Sequence, residues 1–565
     1  MSKRFRISPI WRWLLVLAVI AAFLGACDSG DDDDDGATAS DDDTVDDDDD
    51  TADDDTADDD TGDDDTSLDD DDDDTFVVPE DIVDPPAAMP FSIEREQVGA
   101  APTIGEIDEF TATMKSFYEG VDYFRWAATH SFGAPADNPD GDPPYMIWWT
   151  NTVAVKDGDT VTYTFDTAPD NTTAKVTRIL PAAIGLYLST GDADAREVAL
   201  GYMRGLSATY DGMIWGDEDP VVDYLMARTI FYRSYAYTTP DGRQAFADYE
   251  PVRHEEEARR HDTWHNPNNP TWGDIYVRNK RSKDDFPYLF RDVPFLARLI
   301  RATDDAEMRD AAIKLYRQIV RMCRDIVDKD YKIYTKGENG EVFLPMTENG
   351  FVDDFASYTN YDAVFPNAEC NPKIAASYIA YGDAHGNDCA DGDGGLYETI
   401  VLLSHFWGTN MIWGYHVSAV SNALTFGDND TARALLEGLA ARMDKLMDNP
   451  LADNYVEWYP DVAALLVIAA ANGLPLTNRE AALVVRHYTE AAAYLADFDY
   501  WDLWDASVPD GEYVYIPDRY VYDGEGNAID YFVRITEITH LYEYCYSPLK
   551  DPAGAKFVDC DTLLE

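Results

Sequence analysis

The residues best suited to chemistry are concentrated in Thr271–Asp292, which reads T-W-G-D-I-Y-V-R-N-K-R-S-K-D-D-F-P-Y-L-F-R-D. Asp284 and Asp285 place two carboxylates at the expected start of a helix running to Thr303. Glycosidic hydrolysis uses one carboxyl as acid and another as base or nucleophile, roughly 5 to 10 Å apart. Adjacent side chains diverge, so either aspartate would need a distant partner. The plainer role for either one is to cap the helix. Trp272, Tyr276 and Phe286 offer flat faces for sugar stacking. Arg278, Lys280, Arg281 and Lys283 form a basic cluster in an acidic chain. Guanidinium forks match carboxylates, so the cluster points to a uronic-acid or sulfated ligand.

Two further groups compete with that segment. Glu398, His405 and His416 lie in a largely apolar run with Trp407 and Trp413, and Glu457-Trp458-Tyr459 pairs a carboxylate with aromatics. His405 suits general acid–base work or a role beside a tyrosine in a lyase. A satisfied core histidine is the simpler reading. His254, Glu257, His261 and His265 are spaced by three, four and four, which predicts one helix face. Imidazoles and a carboxylate are zinc ligands. The spacing is not that of the metalloprotease H-E-x-x-H, and the set spans too many turns to surround one ion. A charged, exposed helix is the plainer account. The expectation is no resident cofactor, with zinc at His254, His261 and His265 as the minority alternative.

The elements that must position these groups read as helical. Four times a helix ends in a short turn and a second amphipathic helix follows. Ile184–Asp192 leads into Ala195–Ala208, Phe295–Asp304 into Glu307–Val327, Val417–Asp428 into Thr431–Met447, and Ala463–Gly473 into Asn478–Leu495. Ile313, Tyr316, Ile319, Val320 and Cys323 show the three-to-four spacing of a buried face. Asp or Asn near each start suits a cap. One such hairpin cannot bury its own apolar face, so several must stack. Asp159–Phe165 alternates like a strand. Tyr331–Met346 and Glu512–Tyr531 read as β-hairpins turning at Gly337–Gly340 and Asp523–Asn527.

Stacked αα-hairpins with G-D turns and long aromatic-rich loops resemble the (α/α)6-type toroids, a superfamily rich in glycoside hydrolases and polysaccharide lyases. The resemblance spans Val176–Asp505. It implies a mainly α fold with small β-hairpin insertions and a cleft built from loops, where Asp284, Asp285, Glu398, His405 and Glu457 would supply catalysis. Trp272, Tyr276, Arg278 and Arg281 would bind substrate. A non-catalytic binding or structural protein on the same scaffold is the alternative. Aromatic residues make up 13% of the chain, which suits either a sugar cleft or a tyrosine-rich core.

The start of the chain bears on location. Lys3, Arg4 and Arg6 precede the apolar run Leu14–Leu24, which is too short to span a bilayer comfortably. The run ends in Leu24-Gly25-Ala26-Cys27. This resembles the lipobox of bacterial lipoproteins, which implies cleavage before Cys27, lipidation of its thiol, and attachment to a membrane of the cell envelope. The outer membrane, with exposure at the surface, is the expected destination. The division is residues 1–26 as signal peptide, 27–75 as lipidated cysteine and tether, 76–105 as an extended proline-rich lead-in, and 106–565 as the helical domain.

The tether, Asp28–Asp74, holds 29 aspartates among 47 residues. Like charges repel and no apolar period exists, so it reads as an extended solvated spacer. Its oxygens suit hard cations, but it lacks the turn glycine and terminal glutamate of an EF-hand loop, so any calcium binding would be loose. From Thr75 onward there are 81 acidic and 39 basic residues, a net charge of −42. Such a surface disfavours nucleic acid. The expected partners are a membrane, through the lipid, and a glycan.

Five cysteines remain besides Cys27. In an oxidising compartment, Cys370 and Cys389, flanking a Gly/Asp-rich loop, are expected to pair, as are Cys545 and Cys560 around a Pro/Gly loop. Cys323 reads as a buried free thiol.

Overall fold

In a computed structural model, the described residues are 76–121, 134–135, 152–157, 160–165, 172–214, 226–231, 234–238, 244–248, 263–278, 286–328, 335–336, 342–343, 420–447, 461–496, 513–516, 520–522 and 528–565. They are mostly helical and belong to one unit, Phe76–Glu565. The principal helices are α1 (Ile104–Val121), α2 (Thr172–Thr190), α3 (Ala193–Asp211), α4 (Phe286–Ala302), α5 (Ala306–Asp328), α6 (Asn429–Met447), α7 (Asp461–Ala471), α8 (Asn478–Ala496), α9 (Tyr531–Tyr546) and the short α10 (Cys560–Leu564). Residues 420–425 are also helical and lead into α6.

The four expected hairpins are α2–α3, α4–α5, residues 420–425 with α6, and α7–α8. Their short turns show why the chain reverses there. Gly191, Gly427 and Gly473 take φ of 71°, 78° and 99°, a conformation that costs other residues a Cβ clash. Asp192 Oδ1 accepts from Ala195 N at 2.6 Å and Asp305 Oδ1 from Met308 N at 3.1 Å, capping α3 and α5. At α8 the cap is not the expected asparagine. Thr477 Oγ1 accepts from Glu480 N and Glu480 Oε2 accepts from Thr477 N, a reciprocal box that Thr103 and Glu106 repeat at α1.

Burial separates two kinds of helix. In α7 every residue from Ala463 to Ala471 is buried, as expected of a helix that is apolar all round. In α5 the buried apolar residues are Met308, Ala312, Leu315, Tyr316, Ile319 and Met322, one face at helical spacing. α2 packs against α3, α4 and α9, and α9 also packs against α7. Asn422 Nδ2 donates to Phe290 O at 3.0 Å, tying residues 420–425 to α4. The last long helix therefore lies against the first member of the hairpin series.

The C-terminal ends of these central helices gather at one side. Tyr187 and Thr303 hydroxyls meet at 3.2 Å, and Ser547 Oγ donates to Ala471 O at 2.5 Å. Gly185 faces Tyr546, whose side-chain atoms begin 2.9 Å from where a Cβ would sit. The short turns share that side. Long segments join each hairpin to the N-terminal end of the next central helix.

Those long segments contribute β-structure beyond isolated hairpins. A six-stranded sheet has the order β1-β5-β6-β3-β2-β11. Its strands are β1 (Ala134–Pro135), β2 (Thr152–Asp157), β3 (Thr160–Phe165), β5 (Ser234–Thr238), β6 (Gln244–Asp248) and β11 (Tyr513–Ile516). A three-stranded sheet joins β4 (Thr229–Phe231), β8 (Gly273–Arg278) and β7 (Thr263–Asn269). Two-stranded ladders form between β9 (Thr335–Lys336) and β10 (Val342–Phe343), and between β12 (Tyr520–Tyr522) and β13 (Ala528–Asp530). The expected hairpin over Glu512–Tyr531 is thus split: Tyr513–Ile516 pairs with β2, and Tyr531 already begins α9.

The lead-in to α1 is a strap of irregular backbone along the helices. Its contacts follow chain order. Arg309 stands over the Phe76 ring at 3.9 Å, and Arg317 grips Asp81 with two hydrogen bonds. Arg301 donates to the carbonyls of Ile82 and Val83. Arg433 then stacks on Phe91 at 4.3 Å, Arg95 reaches Asp444 and Glu480, and Arg479 N donates to Val98 O. The strap therefore crosses α5, α6 and α8 in turn before becoming α1, which packs on α8.

Candidate active site between α4 and α9

α4 is apolar except for a few groups. Arg291 and Asp292 sit inside the run Y-L-F-R-D-V-P-F-L and are 1% and 0% exposed. Removing ionised groups from water costs several kcal/mol each unless they are compensated. α9 supplies the compensation. His540 and Glu543 are one helical turn apart, so they share a face. Glu543 Oε2 lies 3.0 Å from His540 Nδ1 and 3.3 Å from Arg291 Nη1. Its other oxygen, Oε1, has no hydrogen-bond partner among the described residues.

Asp292 differs from Glu543. Among the described residues, neither of its carboxyl oxygens has a hydrogen-bond partner. Burial pushes its pKa well above the ordinary carboxylate range; Arg291 pulls it back in part, and the Glu543 charge raises it again. Asp292 is therefore held toward its neutral acid form, while Glu543 is held between a guanidinium and an imidazole. A buried carboxyl held toward its neutral form suits the role of a general acid. Burial lowers the pKa of Arg298, two turns beyond Arg291 on α4, to about 10, against the opposing effects of Tyr546 and then Glu543.

The sequence-derived candidates fall differently. Trp272 and Tyr276 lie on the β7–β8 hairpin, half-buried against the core. Asn269 Oδ1 accepts from Trp272 N at 2.7 Å and fixes the turn. One face of Tyr276 is covered by the His265 ring, 4.8 Å between centroids at 16°. Arg278 is placed at the end of β8 opposite Thr229 and Thr263. Asp284, Asp285, Arg281, Glu398, His405 and Glu457 lie outside the described residues, as do Cys27, Cys370 and Cys389.

The histidine cluster needs a correction. His265 is on a strand, not a helix, and its Nε2 lies 2.5 Å from Asp274 Oδ1. Pro267 disfavours helix for the residue before it. Asn266 and Asn269 side-chain amides donate to the carbonyls of Gly212, Ile214 and Asp211, which anchors the strand on the end of α3. His254 and His261 are outside the described residues. Among the described residues, no group of three or more His, Cys, Asp or Glu could hold a metal ion. No helix among them is long and apolar enough to cross a membrane.

Cys545 and Cys560 form a disulfide that joins the end of α9 to α10. It secures the helix carrying His540 and Glu543 at its C-terminal end.

Sequence reading missed the α4–α9 group, although faint signals exist. An Arg-Asp pair inside an apolar helical run is costly to bury without purpose. His-x-x-Glu among the aromatics of T-H-L-Y-E-Y is another such mark. Comparison with known proteins adds nothing to this geometry: no family model, curated protein or solved structure matches the chain.

Proposed function

We propose that this chain is a membrane-tethered lipoprotein of the cell envelope whose helical part is an (α/α) toroid with carbohydrate-active chemistry, hydrolytic or eliminative. The observation that carries the reading is a buried Asp292 on α4 in the field of Glu543 on α9, in a series of hairpins whose last central helix packs against its first. In this reading Asp292 is the acid, Glu543 is the base or nucleophile, and His540 and Arg291 orient Glu543. Trp272, half-buried on the β7–β8 hairpin, is the aromatic candidate for stacking a sugar. The anchor is the lipid on Cys27, with the aspartate-rich segment as spacer and the outer membrane as the destination.

The test is turnover on a panel of polysaccharides, followed by both reducing-end release and the absorbance of unsaturated products. Activity that is lost in Asp292→Asn and in Glu543→Gln, with folding intact, supports the proposal. No turnover on any glycan would overturn the enzymatic part. The anchor is tested separately: Cys27→Ser should abolish palmitate incorporation and shift the protein from membrane to soluble fractions.

A second reading, a binding lipoprotein without turnover, draws on the complete burial of Asp292 and Glu543. In that case Glu543→Gln would lower stability and leave no activity to lose.

A further inference from the structure

Cys545, on the last turn of α9, is bonded to Cys560, the first residue of α10. The two halves of the bond are not equally placed. Cys545 is 6% exposed, whereas Cys560 is half-buried at the edge of the core. An external group therefore has more room to approach from the Cys560 side.

Lys550 stands beside that sulfur. Its Nζ lies 3.8 Å from Cys560 Sγ and donates to Cys545 O at 2.7 Å, with the Tyr544 ring centroid 5.5 Å away. The bond to the carbonyl caps the end of α9, a common role for lysine. Capping alone does not account for the approach to the sulfur. Burial lowers the Lys550 pKa, and the charge of Asp561 opposes that effect. The other charged groups of this corner are Asp559, with Lys556 at 3.9 Å, and Lys115 on α1, whose Nζ donates to Thr562 O at 3.3 Å.

α10 is held by more than the disulfide. Asp559 N donates to Thr111 Oγ1 at 3.0 Å, and Phe557, Val558 and Leu563 are buried. α10 packs on α1 as well as on α9. Breaking the S–S bond thus leaves Cys560 docked close to Cys545. Exchange of a thiol with a disulfide spreads one negative charge over three sulfurs, and its rate depends on access and on how well that charge is stabilised. A neighbouring ammonium stabilises it and favours the thiolate that is released.

We propose that Cys545–Cys560 is a reversible thiol–disulfide exchange site, with Cys560 Sγ as the sulfur attacked and Lys550 as the group that stabilises the developing charge. The co-reactant is an external dithiol. Its thiolate attacks Cys560 Sγ, the Cys545–Cys560 bond breaks, and Cys545 leaves as a thiolate that takes a proton from water. The second thiol of the co-reactant, after losing its proton to water, attacks the mixed disulfide and releases Cys560 as a thiolate beside Lys550. The protein disulfide gains two electrons, and the dithiol is oxidised to its own disulfide. The proposal is independent of the carbohydrate-active reading. It gives the helix carrying His540 and Glu543 a clasp that chemistry can open and close.

The test uses the full-length protein under native conditions. A brief exposure to reduced glutathione, stopped in acid, leaves a mixed disulfide whose position is read by peptide mass spectrometry. The rate of reduction by dithiothreitol is then compared between the parent, Lys550→Gln and Lys550→Arg. Glutamine keeps a donor for Cys545 O without the charge, so a capping role alone would leave the rate unchanged. Glutathione on Cys560 rather than Cys545, with reduction about five- to tenfold slower in Lys550→Gln and close to the parent rate in Lys550→Arg, supports the proposal. So does full re-formation of the bond on adding oxidised glutathione, with the helical circular dichroism retained throughout. Glutathione on Cys545, reduction only in denaturant, or equal rates in the parent and a folded Lys550→Gln protein would overturn it. The first two of these outcomes are read on the unaltered protein and do not depend on a variant folding.

Discussion

Arg95 and Glu480 meet through two hydrogen bonds, Nη1 to Oε2 at 2.7 Å and Nη2 to Oε1 at 2.9 Å, although 385 residues separate them. The Arg95 side chain is 2% exposed and that of Glu480 0%. Glu480 Oε2 also closes the N-terminal box of α8, so one carboxylate both starts a helix and holds the strap. Removing one member leaves a buried charge without its partner, a loss of roughly 3 to 5 kcal/mol. Arg95→Ala should therefore lower stability in chemical denaturation by about that amount. Hydrogen exchange should rise first over residues 92–99 and at the start of α8. Unchanged exchange there would show that the strap does not depend on this pair.

Asp292→Asn and Glu543→Gln should act in opposite directions on stability. The folded-state pKa of Asp292 is raised by burial, so the folded protein binds its proton more tightly than the unfolded chain does. Its contribution is favourable below the unfolded pKa and is lost as pH rises through the folded value. Near neutral pH the asparagine variant should thus be as stable as the parent or more so. Glu543→Gln should be less stable, because Arg291 and His540 lose their anionic partner. If the site is catalytic, both lower turnover about 10²- to 10⁴-fold. Thermal midpoints across pH 4 to 8 distinguish the two.

The disulfide Cys545–Cys560 closes a short loop at the end of α9. Restricting such a loop in the unfolded chain is worth about 3 kcal/mol in the loop-entropy model. The double variant Cys545→Ser, Cys560→Ser should lose about that much and loosen the last turn of α9. Mild reduction of the native protein should produce the same shift in midpoint. A double variant as stable as the parent would refute the assignment of a structural role.

Gly473 is confined twice. Its φ of 99° disfavours any side chain, and a Cβ there would sit 2.5 Å from Met89 Sδ. Gly473→Ala should destabilise by about 1 kcal/mol or more from the backbone alone, with a further loss from the clash. Met89→Ala in the same chain should recover the clash component and leave the backbone component. A double variant no more stable than Gly473→Ala would show that Met89 gives way freely.

Much of the helical scaffold was legible before any coordinates. The pairs around Gly191, Thr303, Gly427 and Gly473 rest on local rules: an apolar period of three to four, a glycine that tolerates positive φ, and a side chain that caps the next helix. The local reading failed where a partner from elsewhere decides the conformation. His265 has helical spacing to His261, yet it is on a strand because Gly273–Arg278 pairs with it and α3 offers carbonyls to Asn266 and Asn269. Likewise Tyr513–Ile516 joins Thr152–Asp157, which no hairpin rule could indicate.

The sequence by itself determined the hairpins and the strongly acidic composition, because composition, period and short motifs are properties of neighbouring residues. Only the tertiary structure decided that Arg291 meets Glu543 and that Asp292 lies in the field of that carboxyl. The residues are about 250 positions apart in the chain, and no spacing rule extends that far. What joins them is that α4 and α9 both pack on α2, in an interior where burial raises the pKa of Asp292.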